Sequence, residues 1–254
     1  AHHRDLHSSP TRRSSDLRDA AAEKAVVMVV EKPGVRFLDN PERPGDAKNC
    51  RPEFVRQYSL DEWSRTLAKA LKVARSLPGV DRSRTLLIGH SEGAIVAVRL
   101  SNMFPLITHV AALSGGGPVY LFHMGEFFRR KGLDPEKEIY PCWGEVLKDP
   151  ESTTRFCWGQ TFRQWSSFMR TSIVRESLAS RSALYFGHGT NDEQNPVSAF
   201  DVLRAELAAK GRSAVFDRVE GAGHGFDLPG QPAPEGLSSI FSRILQWFGL
   251  PSGG

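Results

Sequence analysis

Gly89-His90-Ser91-Glu92-Gly93 stands between Arg84–Gly89 (RTLLIG), a short apolar run of strand type, and Gly93–Phe104 (GAIVAVRLSNMF), an apolar stretch of helical length. A G-x-S-x-G pattern means little by itself in a chain with 23 glycines. Set between a strand and a helix, it describes a turn so tight that the serine hydroxyl must project above the end of a sheet. Such a turn strains the backbone at Ser91, and the glycines two residues to either side are expected to remove side chains that would collide. The helix begins at once, so its unpaired amides and its dipole face the serine and favour negative charge developing there. The Glu92 amide is the expected donor to such charge.

Outward from this turn the chain alternates short apolar runs with helix-like stretches, the pattern of strand–helix–strand units and a parallel sheet. Ala25–Glu31 (AVVMVVE) reads as a buried strand ended by Lys32-Pro33-Gly34, and Val35–Pro52 as a loop; the stretch Lys32–Cys50 after that strand either borders the pocket or is a solvated connector. Leu60–Leu77 reads as an amphipathic helix capped by Ser59. Ile107–Leu113 is the next strand and runs into the loop Ser114-Gly115-Gly116-Gly117. Residues 118–180 break the rhythm: Trp143, Trp158, Trp165 and several Phe sit among mixed charges without a strand signature, as expected of a helical lid over the sheet's carboxyl end. These aromatics either line an acyl pocket or seal the lid to the sheet. Alternation resumes with a strand at Ser182–Phe186, a helix over Val197–Lys210, a strand at Ala214–Val219 and a closing amphipathic helix at Leu237–Phe248. The expected fold is α/β, a mostly parallel sheet flanked by helices with one helical lid insertion, in a domain spanning residues 18–254.

Composition narrows the function. Apolar residues at 40% and charged residues at 24% suit a soluble globular domain. A net charge of +4, scattered along the chain, does not suggest nucleic acid or an anionic membrane as a partner. The longest apolar runs are far too short to span a bilayer. Cys50, Cys142 and Cys157 form neither a CxxC pair nor a metal-spaced cluster. Cys142 and Cys157 either pair, if the protein is exported, or remain separate thiols.

A serine hydroxyl needs a base whose own proton is fixed in place. His224 lies in Glu220-Gly221-Ala222-Gly223-His224-Gly225-Phe226, directly after the last strand, where an open α/β sheet presents functional side chains. His2, His3 and His7 lie in an unusual head, His90 belongs to the turn itself and points away from the serine, and His109 and His123 precede the position of the acid. The acid is expected between serine and histidine at a strand end. Phe186-Gly187-His188-Gly189-Thr190-Asn191-Asp192 supplies Asp192, with Glu193 beside it as an alternative.

GHSEGA at the turn, GHGTNDEQNPV at the acid and GAGHGF at the base together resemble the α/β-hydrolase superfamily, in particular its esterase, dienelactone-hydrolase and prolyl-oligopeptidase-like branches. The resemblance runs from about residue 18 to 250. It implies an acyl-enzyme mechanism with Ser91 as nucleophile, His224 as general base and Asp192 as the orienting acid, acting on a small ester or acyl substrate without metal or organic cofactor. One compact domain with a modest lid favours an ester. A prolyl-oligopeptidase-like peptidase, a thioesterase and a non-catalytic binding relative are the other readings.

The resemblance also exposes a departure. The second oxyanion donor of such proteins comes from a loop upstream of Ala25–Glu31. Here that region falls in or before residues 1–17, where HSSPTRRSSDL resembles the translation of a sequencing adapter rather than native sequence, a disordered arm being the alternative. The first strands and half of the oxyanion hole are therefore expected to be missing, at a cost of about 100- to 1,000-fold in turnover. Compartment and oligomeric state are not legible.

Overall fold

The structure is a computed structural model that describes residues 21, 25–36, 46–230 and 233–250; the head over residues 1–17 lies outside the described residues. Its frame is a four-stranded parallel sheet of β1 (Leu86–His90), β2 (His109–Leu113), β5 (Ala183–Gly189) and β6 (Val215–Val219), in the order β1-β2-β5-β6. Leu86 faces His109, His109 faces Ala183 and Tyr185 faces Val215, so the carboxyl ends of the strands share one rim.

Strand alternation divides the core in two. Val110, Ala112, Leu184 and Phe186 point to one face, against α2 (Leu60–Ser76), α3 (Glu92–Met103), α8 (Ile173–Ala179) and α9 (Val197–Ala209). Ala111, Leu113 and Tyr185 point to the other, against Leu237, Ile240, Phe241 and Ile244 of α10 (Ala233–Trp247). Both faces are covered, which is why these strands read as continuous apolar runs. Helix α2 begins where expected because the Ser59 hydroxyl accepts the Glu62 amide at 3.3 Å.

Two expectations fail. Ala25–Glu31 is not a strand: the stretch is irregular, and Val26 and Val29 are more than half exposed. A β-branched run becomes a strand only where a neighbour completes its hydrogen-bond ladder, and no strand pairs with the outer edge of β1 among the described residues. The lid, besides α4 (Tyr120–Arg130), α5 (Pro135–Glu138), α6 (Tyr140–Lys148) and α7 (Phe162–Met169), contains a small antiparallel pair, β3 (Phe156–Cys157) with β4 (Gln160–Thr161). Its two-residue turn has positive φ at both Trp158 and Gly159, the geometry that keeps a hairpin's twist.

The lid has a core of its own, in which Phe128, Ile139, Val146, Phe162, Trp165 and Met169 pack together. Phe162 and Trp165 thus fill the lid interior, while Trp158 is exposed. Cys142 and Cys157 form a disulfide between α6 and β3, and Cys50 remains a thiol. No helix among the described residues is long and apolar enough to cross a membrane.

Candidate active site at the sheet rim

Ser91 closes β1 and caps α3 with φ 58° and ψ −122°, a left-handed conformation that a residue with a Cβ rarely adopts. It is held there by main-chain bonds: its amide donates to the Leu113 carbonyl at 2.8 Å, and its carbonyl accepts from Ala94 at 3.0 Å. The expected pair of relieving glycines is in fact one-sided. A Cβ on Gly89 would lie 2.0 Å from the Gly93 carbonyl oxygen, whereas one on Gly93 would meet nothing within 4 Å. Gly89 is the residue that lets strand and helix pass.

Across the rim, His224 Nδ1 lies 2.8 Å from Asp192 Oδ2. Both residues are buried, and Asp192 is wholly inaccessible. The loops that carry them are stitched together: Asn191 donates its amide to the Ala222 carbonyl at 2.9 Å, and the Gly221 amide donates to the Thr190 hydroxyl at 2.8 Å. The other carboxylate oxygen of Asp192 accepts the amides of Gln194 at 2.8 Å and Asn195 at 2.7 Å. Burial pushes the Asp192 carboxyl up, but the hydrogen bond and charge of His224, the Asn195 amide and the nearby His188 outweigh it and hold the group below its ordinary range. An ionised Asp192 makes Nδ1 of His224 the protonated nitrogen and leaves Nε2 with the lone pair, the state in which an imidazole can take a proton. Glu193, the alternative acid, is exposed and pairs with Lys131 at 3.0 Å.

The His224 loop is tied to the Ser91 turn by His90, whose Nε2 lies 2.7 Å from the His224 carbonyl oxygen and whose ring centre is 4.7 Å from that of His224. His90, the residue before the serine, thus links the turn to the His224 loop. No direct hydrogen bond joins the Ser91 hydroxyl to the His224 ring among the described residues.

Three neighbours escaped the sequence reading. Asn195 donates from Nδ2 to the Ser114 carbonyl, fastening the Asp192 loop to the loop after β2. Its spacing in Asp192-Glu193-Gln194-Asn195 is a signal, since an Asp side chain readily accepts the amides two and three residues on. His188 Nε2 lies 3.9 Å from Asp192 and 2.9 Å from the Asn195 carbonyl. From the lid, Arg130 donates to the Asp192 carbonyl at 2.9 Å. Burial lowers both His188 and the lid's His123, the latter to about 4, so neither competes as a cation for Asp192 near neutral pH. No group of three or more His, Cys, Asp or Glu suited to hold a metal ion occurs among the described residues.

A sequence model of the Alpha/beta hydrolase family matches residues 6–238. None of the curated proteins compared with the chain by sequence matches it. In fold it is similar to Est1E from Butyrivibrio proteoclasticus, with a TM-score of 0.52 and 14% identity over 76% of this chain and 72% of that one. It is also similar to the acylaminoacyl peptidase of Pyrococcus horikoshii, with a TM-score of 0.54 and 14% identity over 77% of this chain but only 28% of the peptidase.

Proposed function

Since the chain belongs to the alpha/beta hydrolase family, we propose that it is a serine hydrolase cleaving a small carboxylic ester through an acyl-enzyme. Ser91 Oγ attacks the ester carbonyl while His224 Nε2 takes its proton. The proton then passes to the leaving alkoxide, the alcohol departs, and the acyl group stays on Ser91. Water, deprotonated by the same nitrogen, attacks the acyl carbonyl; the bond to Ser91 Oγ then breaks as His224 returns that proton to Oγ, releasing the acid and restoring the serine and the neutral imidazole. Asp192 holds the ring in one orientation and stabilises the imidazolium formed at each attack. The Glu92 amide, at the start of α3, donates to the developing oxyanion.

The observation that carries this reading is the buried Asp192–His224 pair at 2.8 Å, tied through His90 to a serine in left-handed backbone geometry. A fluorophosphonate probe and short-chain p-nitrophenyl esters test it. The wild type is expected to be labelled and to turn over esters, with both signals lost in Ser91→Ala. Labelling that survives in Ser91→Ala, or none in the wild type, refutes the assignment. Aminoacyl-p-nitroanilide turnover above that of esters would replace the ester with a peptide-type substrate.

A further inference from the structure

Glu92 poses an electrostatic problem for that reading. It follows Ser91 directly, so a carboxylate sits one residue from the site where an oxyanion would form, and like charge opposes such an intermediate. The side chain is only 25% exposed. Lys32 Nζ donates to its Oε2 at 2.9 Å, the Tyr58 hydroxyl donates to the same oxygen, and Gln164 Nε2 of the lid reaches Oε1 at 3.4 Å. Burial pushes the Glu92 carboxyl up, but Lys32 and these hydrogen bonds outweigh it and keep the group ionised.

Lys32 directly follows Ala25–Glu31, the run expected as a strand, and opens a turn. The Val35 amide donates to the Lys32 carbonyl at 3.0 Å, closing a four-residue turn with Pro33 second and Gly34, at φ 79°, third, the positions those residues prefer in a type II turn. A Cβ on Gly34 would lie 2.3 Å from the Phe54 amide nitrogen, so glycine lets the turn press on α1 (Pro52–Gln57), the short helix that ends beside Tyr58. The ammonium then rests 4.9 Å from the Tyr58 ring centre and 5.0 Å from that of Trp63.

We infer that Lys32 is a positioning residue of the serine turn: its ammonium neutralises Glu92 and, with Tyr58 and Gln164, holds that carboxylate in one place, so that it does not oppose an oxyanion at Ser91. This rests on the hydrolase reading above and assigns Lys32 no contact with substrate.

A double-variant cycle in the full chain tests it, using Lys32→Met, Glu92→Gln, their combination and Lys32→Arg. The readouts are kcat and KM on a p-nitrophenyl ester, the rate of fluorophosphonate labelling and the thermal midpoint. Lys32→Met is expected to lower kcat and the labelling rate roughly tenfold or more with KM within about twofold, the pattern of a group that acts on the transition state. The combined variant should recover most of the loss, since no anion is left to neutralise, and Lys32→Arg should retain more activity than Lys32→Met. A combined variant as impaired as Lys32→Met, a loss confined to KM, or equal loss in Lys32→Arg and Lys32→Met overturns the inference. If Lys32→Met simply unfolds, the Arg and combined variants still decide. An unlabelled wild type removes the hydrolase reading and this inference together; a labelled wild type with an additive cycle removes this inference alone.

Discussion

Asp192 is buried and Glu92 half-buried, and both are held below the ordinary carboxylate range, yet their partners differ in kind. Asp192 meets an imidazole and two main-chain amides; Glu92 meets an ammonium, a phenol and a side-chain amide. An imidazole carries charge only when it has taken a second proton, so the field of Asp192 is left to act when that proton arrives. A lysine ammonium is charged from the outset, and Glu92's field is already cancelled. A carboxylate beside a conditional cation is suited to chemistry; one beside a permanent cation is suited to holding structure. The same difference appears in what fastens them, since Asp192 is gripped by the backbone of its own loop and Glu92 by side chains from distant segments.

The contrast is most exposed at Asp192. Asp192→Asn preserves shape but removes the charge and favours the wrong tautomer of His224, and kcat is expected to fall about 10⁴-fold with little change in KM. A fall of only a few-fold would mean that Asp192 is as structural as Glu92.

The lid reaches both sites, with Arg130 at the Asp192 loop and Gln164 at Glu92, and the Cys142–Cys157 bond closes a 15-residue separation within it. Opening that bond, by reduction or by Cys142→Ser with Cys157→Ser, is expected to cost about 3 kcal/mol on the loop-entropy estimate. Calorimetry with and without reductant reads this as a lower thermal midpoint. An unchanged midpoint, with mass spectrometry showing both thiols free, would deny the bond a role in fastening the lid.

The smallest effect expected is on the pH dependence of stability. His123 is held to about 4 by burial, against 6.5 unperturbed, with Asp192, His188, His224 and the Gln194 backbone around it. The unfolded chain therefore binds the proton first as pH falls through this window, and stability should drop from pH 6.5 towards 4. His188 is lowered in the same sense and adds to the slope. Asp192 acts below this range: its stabilisation is present above its unfolded value and is lost as pH falls through its lower folded value. Thermal midpoints of His123→Gln across pH 4 to 7 should show a flatter profile than the wild type; an identical profile would show that His123 does not titrate as burial requires.

How much of this was legible beforehand depends on the range of the cause. Helix α2 was readable because a cap and an apolar stripe lie within one short stretch. The turn at Ser91 was readable because strand, glycine, serine and helix are contiguous. The misreading of Ala25–Glu31 has the opposite origin: its residues favour a strand, but a ladder needs a second chain segment at its side. The hairpin in the lid was missed because Trp158-Gly159 is not a usual turn pair. The choice of Asp192 over Glu193 as the neighbour of His224 turned on which side chain faces inward, a matter of loop geometry and not of residue type.

The chain's order of residues alone determined the alternation of strands and helices, the strained serine at a strand end, and three candidate side chains in a sequence compatible with one rim. These follow from local sterics and periodicity, which act over a few residues. Only the tertiary structure decided that Asp192 and His224 touch, that His90 ties the His224 loop to the serine turn, and that Lys32 meets Glu92 across 60 residues. Hydrogen bonds and charge pairs act over a few ångströms, and which groups come that close is settled by how helices and loops pack on the sheet, not by their separation along the chain.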